Sequence, residues 1–168
     1  MKPTRVEGRI TLIEGMLSEV VHDFNRLWNN TETASPEVHI VHSWGSVPLG
    51  VAGDGIYGLA RLAFELAMEP GSLALIEEPE SNQHPRSLRM SARVIWAAVR
   101  QGVQVVLSTH SLELIDMLLD GCYRDGDGDD LAQLAVCRLR LSDGNLMSIW
   151  HRGDEIRSAR TDIEEDIR

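Results

Sequence analysis

Two adjacent carboxylates, Glu77 and Glu78, close the apolar run at the head of LALIEEPESNQHP, and an imidazole, His110, ends a second apolar run in VVLSTHS. Neighbouring side chains leaving a strand diverge. One acid can then hold a hydrated Mg²⁺, directly or through water, while the other orients a water for attack on phosphorus. An imidazole opposite can contact the phosphoryl group in transfer. Phosphoryl transfer rests on this kind of positioning and charge compensation more than on covalent help.

Such residues need a scaffold that brings them to one rim. LALI (73–76) is short and wholly apolar, and 103–107 is short and apolar apart from Gln104, as in strands buried on both faces. Helical spacing lies between and after them: 86–100, with Leu88, Ala92, Ile95, Trp96 and Val99 inward, and 111–119, capped by Ser111 with Glu113 in its first turn. Strand, helix, strand, helix predicts an α/β fold with a parallel central sheet and flanking crossover helices. Ligands of such sheets sit beyond the carboxyl ends of the strands, where both motifs fall.

Upstream, apolar residues at three- and four-residue steps predict an amphipathic helix over 10–28. Val38, Ile40 and Trp44, Val47 mark two short strands around a turn. Gly50, Gly53 and Gly55 form a flexible loop before a helix starting near Ile56 and stopped by Pro70-Gly71. Downstream, a Gly/Asp-rich loop (120–130) precedes 134–141 and 146–150, which flank Ser142-Asp143-Gly144-Asn145 as a C-terminal β-hairpin. A short polar helix ends the chain. The 168 residues suit one domain with three regions: an N-terminal helix and strand part (1–46), a central core (47–120), and a hairpin and tail (121–168).

Composition limits the partners. A net charge of −10 argues against nonspecific nucleic-acid binding by the whole surface. DNA remains conceivable only through a local patch such as Arg86, Arg89, Arg93 and Arg100, better explained as a charged solvent face. Cys122 and Cys137 form no CxxC pair, which fits a reducing, cytoplasmic setting without a zinc site. No run approaches the ~20 apolar residues of a membrane span, and MKPTRVEGRI has no signal-peptide core. DGDGDD (125–130) lacks the glycine and glutamate of an EF-hand. Trp28, Trp44, Trp96 and Trp150 read as packing residues.

LALIEEPE, the following HP, and VVLSTHS together resemble the Walker B, D-loop and switch-histidine region of ABC-class ATPases, especially the RecF/SMC/OLD-like branch. VPLGVAGDGIYGLARLAFEL stands where that family carries its signature loop and helix, and GDEIRSARTDIEEDIR is similar to the tail of OLD-like members. The likeness runs from about Val47 to the C-terminus. It implies a partial P-loop NTPase fold. It also implies that Glu77 takes the Mg²⁺-associated acid position, where Asp is more usual. Glu78 becomes the water-polarising base, His110 the γ-phosphate-sensing histidine, and Ser81 to His84 the D-loop. Gly53, Asp54 and Gly55 fall in the signature loop, which in this family reaches the ATP of an opposite protomer.

Two features depart from the family. Ala52 stands where a serine hydroxyl is common, and Asp54 sets a negative charge toward a phosphate. Of the 16 basic residues only Lys2 is a lysine, so G-x-x-x-x-G-K-[ST] is missing. That loop and its lysine supply most of the nucleotide grip. The expectation is therefore the C-terminal half of such an ATPase. It would use Mg²⁺ and ATP in a composite site, with a Walker A-bearing partner or a second copy of the chain, and bind ATP weakly alone. A truncated piece or gene remnant would look the same. Two alternatives stand: a non-catalytic interaction or regulatory module, and a metal-dependent phosphohydrolase using Glu77, Glu78, Glu80 and His110 on two metals.

Overall fold

The computed structural model describes residues 5–31, 37–81, 83, 85–122, 129–162 and 167. Lys2, the D-loop residues Asn82 and His84, and most of DGDGDD lie outside them. The chain falls into two compact units, the described residues of Met1–Ile76 with Asn82–Val106, and of Glu77–Ser81 with Leu107–Arg168.

In the first unit, helix α1 (Arg5–Ser18) is followed by strand β1 (Phe24–Asn30). The expected helix over 10–28 is thus too long. Asp23 takes φ 54°, a left-handed conformation that a right-handed helix cannot carry through. Beyond it the chain pairs antiparallel with strand β2 (Glu37–His42), from Arg26↔Val41 to Asn30↔Glu37. Phe24, Leu27 and Trp28 sit at spacings that suit a helix, and cross-strand pairing decided otherwise. The Glu14 carboxylate of α1 accepts the Leu27 N–H at 2.8 Å, tying helix to strand. Strand β3 (Gly45–Pro48) completes a β1-β2-β3 antiparallel sheet, with the expected turn between β2 and β3.

A 3₁₀ turn (Leu49–Val51) and Gly53, with φ 92°, lead into helix α2 (Asp54–Leu66). Helix α3 (Pro85–Arg100) packs on α2, and α1 packs on both. Leu59, Ala60, Leu62, Ala63 and Leu66 of α2, Leu88, Ala92, Ile95 and Trp96 of α3, and Met16 and Leu17 of α1 are all buried. Val99, expected inward, is half-buried. On α2 the exposed Arg61 guanidinium is held protonated more firmly than usual, chiefly by its hydrogen bond to Glu65 one turn on.

Strands β4 (Leu73–Glu77) and β5 (Gln104–Ser108) form the two-stranded parallel sheet. At its entrance Gln104 N–H donates to Ser72 O at 2.8 Å, and at its exit Glu78 N–H donates to Ser108 O at 3.0 Å. Both strands were expected to be buried, and this is corrected. Ala74 is buried, but Leu73, Leu75 and Val106 expose 50%, 75% and 51% of their surface. Their apolar sequences read as strands covered on both faces; here one face is bare.

The second unit begins with the turn after β4 and continues through helix α4 (Leu112–Gly121), helix α5 (Asp129–Gln133), strands β6 (Ala135–Ser142) and β7 (Asn145–Arg152), and helix α6 (Asp154–Arg157). Helix α5 starts inside the expected Gly/Asp-rich loop. The hairpin forms as expected: Ser142 pairs with Asn145, and Asp143 and Gly144 take φ 50° and 79°, as a two-residue type I′ turn requires. After α6 the backbone widens into a π-helical stretch (Ser158–Asp162). From it Arg160 reaches back to Asp116 of α4 with two bonds of 2.7 and 2.9 Å.

Candidate active site

β4 ends because Glu78 breaks the extended backbone. Its φ is 41°, a left-handed setting that is costly for any side chain carrying a Cβ. The following Pro79 restricts the residue before it further, toward extended conformations. Two hydrogen bonds enforce this pose: Glu78 N–H to Ser108 O, and Ser81 N–H to Glu78 O, both 3.0 Å. Held strain of this kind gathers at functional sites, because the surrounding structure must over-determine it.

The turn delivers the Glu78 carboxylate to His110. Glu78 Oε1 lies 3.4 Å from His110 Nε2, and Glu78 Oε2 accepts the Ser81 hydroxyl at 3.2 Å. The imidazole is 87% exposed and the carboxylate side chain 44%. A contact so open to solvent contributes about 0–1 kcal/mol at most. It adds little to stability, and a ligand can enter between its members at small cost.

His110 is placed by the end of β5 on one side and by α4 on the other. Ser111 caps α4, its hydroxyl oxygen accepting the Leu114 N–H at 3.1 Å, as foreseen. Between them stands a contact the sequence did not suggest. Glu80 Oε1 accepts both the Thr109 hydroxyl (2.5 Å) and the His110 N–H (2.9 Å), and Thr109 Oγ1 accepts the Ser111 N–H at 2.9 Å. The signal available in the sequence was weak: a third acid in EEPE and a hydroxyl inside STHS.

Glu78, Ser81 and His110 therefore come together. Glu77 is the exposed last residue of β4. Gly53, Asp54 and Gly55 lie in the other unit, at the exposed start of α2, where Asp54 occupies the first turn. There Gly55 is a close fit: an added Cβ would stand 2.9 Å from Ser87 Oγ. Among the described residues no group of three or more His, Cys, Asp or Glu side chains converges as a metal site. No helix among them is long and apolar enough to cross a membrane.

Residues 37–116, from β2 into α4, match the family described as "AAA domain, putative AbiEii toxin, Type IV TA system". The fold is similar to a solved structure from work on ATP-driven dimerization and DNA-stimulated activation of SMC ATPases. The TM-score is 0.60 at 12% identity, over 95% of this chain and 93% of that one. It is also similar to the Smc head domain with an extended coiled coil bound to the C-terminal domain of ScpA, from Pyrococcus furiosus. There the TM-score is 0.57 at 12% identity, over 95% of this chain and 38% of that one. At such identities the likeness defines a fold, and together with the family match it defines the class: an ATPase domain fold of the ABC/AAA type, P-loop NTPase-like.

Relatives in sequence narrow this. The chain is 30% identical over 117 residues to the uncharacterized protein MJECL11 of Methanocaldococcus jannaschii, covering 69% of this chain and 98% of that protein. It belongs to the same family as that archaeal protein. It is also 26% identical over 147 residues to the retinal-specific phospholipid-transporting ATPase ABCA4 of Mus musculus, covering 79% of this chain but 6% of the transporter.

Proposed function

We propose that this chain supplies the hydrolytic half of a composite ATP site. The observation that carries the proposal is Glu78, held in a strained turn at the exit of a parallel strand pair with its carboxylate 3.4 Å from His110. Support for a nucleotide as the ligand comes from the ABC/AAA-type fold. The residues fit part of what ATP and Mg²⁺ require. An exposed acid, a carboxylate and an imidazole are open to an entering γ-phosphate, whereas the sequence has no lysine beyond Lys2 to grip a phosphate tail.

In this reading Mg²⁺-ATP supplies an activated γ-phosphoryl group. Glu77 would hold the metal, directly or through water. Glu78 accepts a hydrogen bond from the attacking water and orients it. Its second oxygen stays on Ser81, which fixes the carboxylate plane. His110 moves from Glu78 to the phosphoryl oxygens, where an N–H donor offsets growing negative charge. Gly53, Asp54 and Gly55 at the start of α2 serve a nucleotide held by another protomer, as the signature loop of the resembled family does.

A polypeptide carrying the phosphate-binding half completes the site. The bare face of β4 and β5, with Leu73, Leu75 and Val106 exposed, is the surface it adds to. Parallel strands are stable when both faces are covered. Mixing the chain with a Walker A-bearing neighbour should produce Mg²⁺-dependent ATP hydrolysis, and Glu78→Gln should abolish it. Equal activity of wild type and Glu78→Gln would sink the proposal. A second reading, a non-catalytic interaction module, draws on Ala52 and on Asp54 at the start of α2. Titration calorimetry separates it: hydrolysis or tight nucleotide binding by the assembled pair contradicts it.

A further inference from the structure

An acid on an exposed turn ordinarily faces water. Glu80 does not: one carboxylate oxygen, Oε1, takes two donors, and the other, Oε2, is buried with no hydrogen-bond partner among the described residues. A buried unsatisfied carboxylate oxygen costs about 1–3 kcal/mol or more. A buried polar group in that state calls for a reason beyond stability.

The two donors supply the reason. They are the Thr109 hydroxyl and the backbone N–H of His110 itself. Thr109 in turn accepts the Ser111 N–H, and Ser111 caps α4. Glu80 follows Glu78 on the same turn, so one short segment carries both the carboxylate and the clamp on the residue opposite it. The Glu80 side chain holds His110 by its backbone N–H and so sets where His110 begins. We infer that Glu80 is a positioning residue that fixes His110 opposite Glu78. The inference deepens the proposed ATP site and, as a statement about hydrolysis, rests on it.

The test has one arm that needs no partner or nucleotide. Amide exchange followed by NMR on the full chain should show His110 N–H exchanging about ten-fold faster in Glu80→Ala than in wild type, because local protection is lost with the bond. Glu80→Gln keeps an oxygen acceptor and should return exchange to within about three-fold of wild type. Thr109→Val, which removes the hydroxyl without touching the acid, serves if Glu80→Ala does not fold, and should also speed His110 exchange. In the assembled ATPase, Glu80→Ala should lower kcat about ten-fold with KM for ATP within about two-fold, the signature of a group acting in the transition state alone, and Glu80→Gln should recover most of it. Unchanged His110 exchange in Glu80→Ala, or in Thr109→Val where that variant stands in, overturns the inference, as does faster exchange with unchanged kcat. If wild type hydrolyses no ATP with any neighbour, the ATP reading falls, and the exchange arm still decides whether Glu80 is the clamp.

Discussion

Glu78 offers a test in which stability should hold while chemistry is lost. Its φ of 41° lies in the left-handed region, which costs an ordinary L-residue about 1–2 kcal/mol. Glycine removes that penalty but gives back about 0.4–1 kcal/mol through its freer unfolded chain. The substitution also removes the bond from Ser81 to Glu78 Oε2 and the contact with His110. Both are at the surface and together contribute about 0.5 kcal/mol. Glu78→Gly should therefore lie between about 0.5 kcal/mol destabilising and about 1 kcal/mol stabilising, a Tm change of roughly −2 to +4 °C for a chain of this size. Asparagine, which tolerates the left-handed region, should behave similarly. Differential scanning calorimetry and urea unfolding read the stability; ATP hydrolysis with the partner reads the chemistry, which both variants should lose. A Tm drop of several degrees in both variants would refute the reasoning, because Glu78 would then be a structural acid in an unstrained turn.

Ser111→Ala removes the cap on α4 and should cost about 1 kcal/mol, read as a lower urea midpoint at unchanged slope. Asp116→Ala breaks the two-bond pair with Arg160, whose side chain is only 12% exposed; a loss of about 1–2 kcal/mol is expected, between the surface and buried limits. Gly102→Ala should destabilise by about 1–2 kcal/mol in thermal unfolding, since Gly102 has φ 86° and an added Cβ would meet Pro70 Cβ at 3.3 Å. Leu75→Glu should leave the isolated chain within about 0.5 kcal/mol of wild type yet abolish partner-dependent ATP hydrolysis.

Much of this was legible in the sequence for identifiable reasons. The α2 and α3 helices carry one clear apolar face each, Ser111 is a capping residue directly before an apolar period, and Asp143-Gly144 is chemistry that a tight hairpin demands. The missed strand β1 shows the limit. Phe24, Leu27 and Trp28 satisfy a helical spacing, and only the long-range partner β2, more than a turn of chain away, makes them a strand. Burial of β4 and β5 was misjudged for the opposite reason: LALI and VVL report the face they are suited to meet, and the chain alone does not supply it. In the site, residue types revealed Glu78 and His110, but the left-handed turn that joins them and the Glu80 clamp depend on backbone geometry that no spacing encodes.

A parallel strand pair with Leu73 and Leu75 in water is a poor design for an isolated chain and an ordinary one for half of a larger sheet. The catalytic candidates tell the same story from the chemical side, since Glu78 and His110 can act on a γ-phosphate but no described residue offers the backbone cradle and lysine that would hold one. Glu78 is strained and Glu80 half-desolvated, and each of those features costs stability. The costly features lie at the acid-imidazole rim, and the uncovered apolar surface belongs to the strands that lead to it. Under the proposed reading, a partner that packs on the bare face and brings a lysine to the phosphate accounts for both with one binding event.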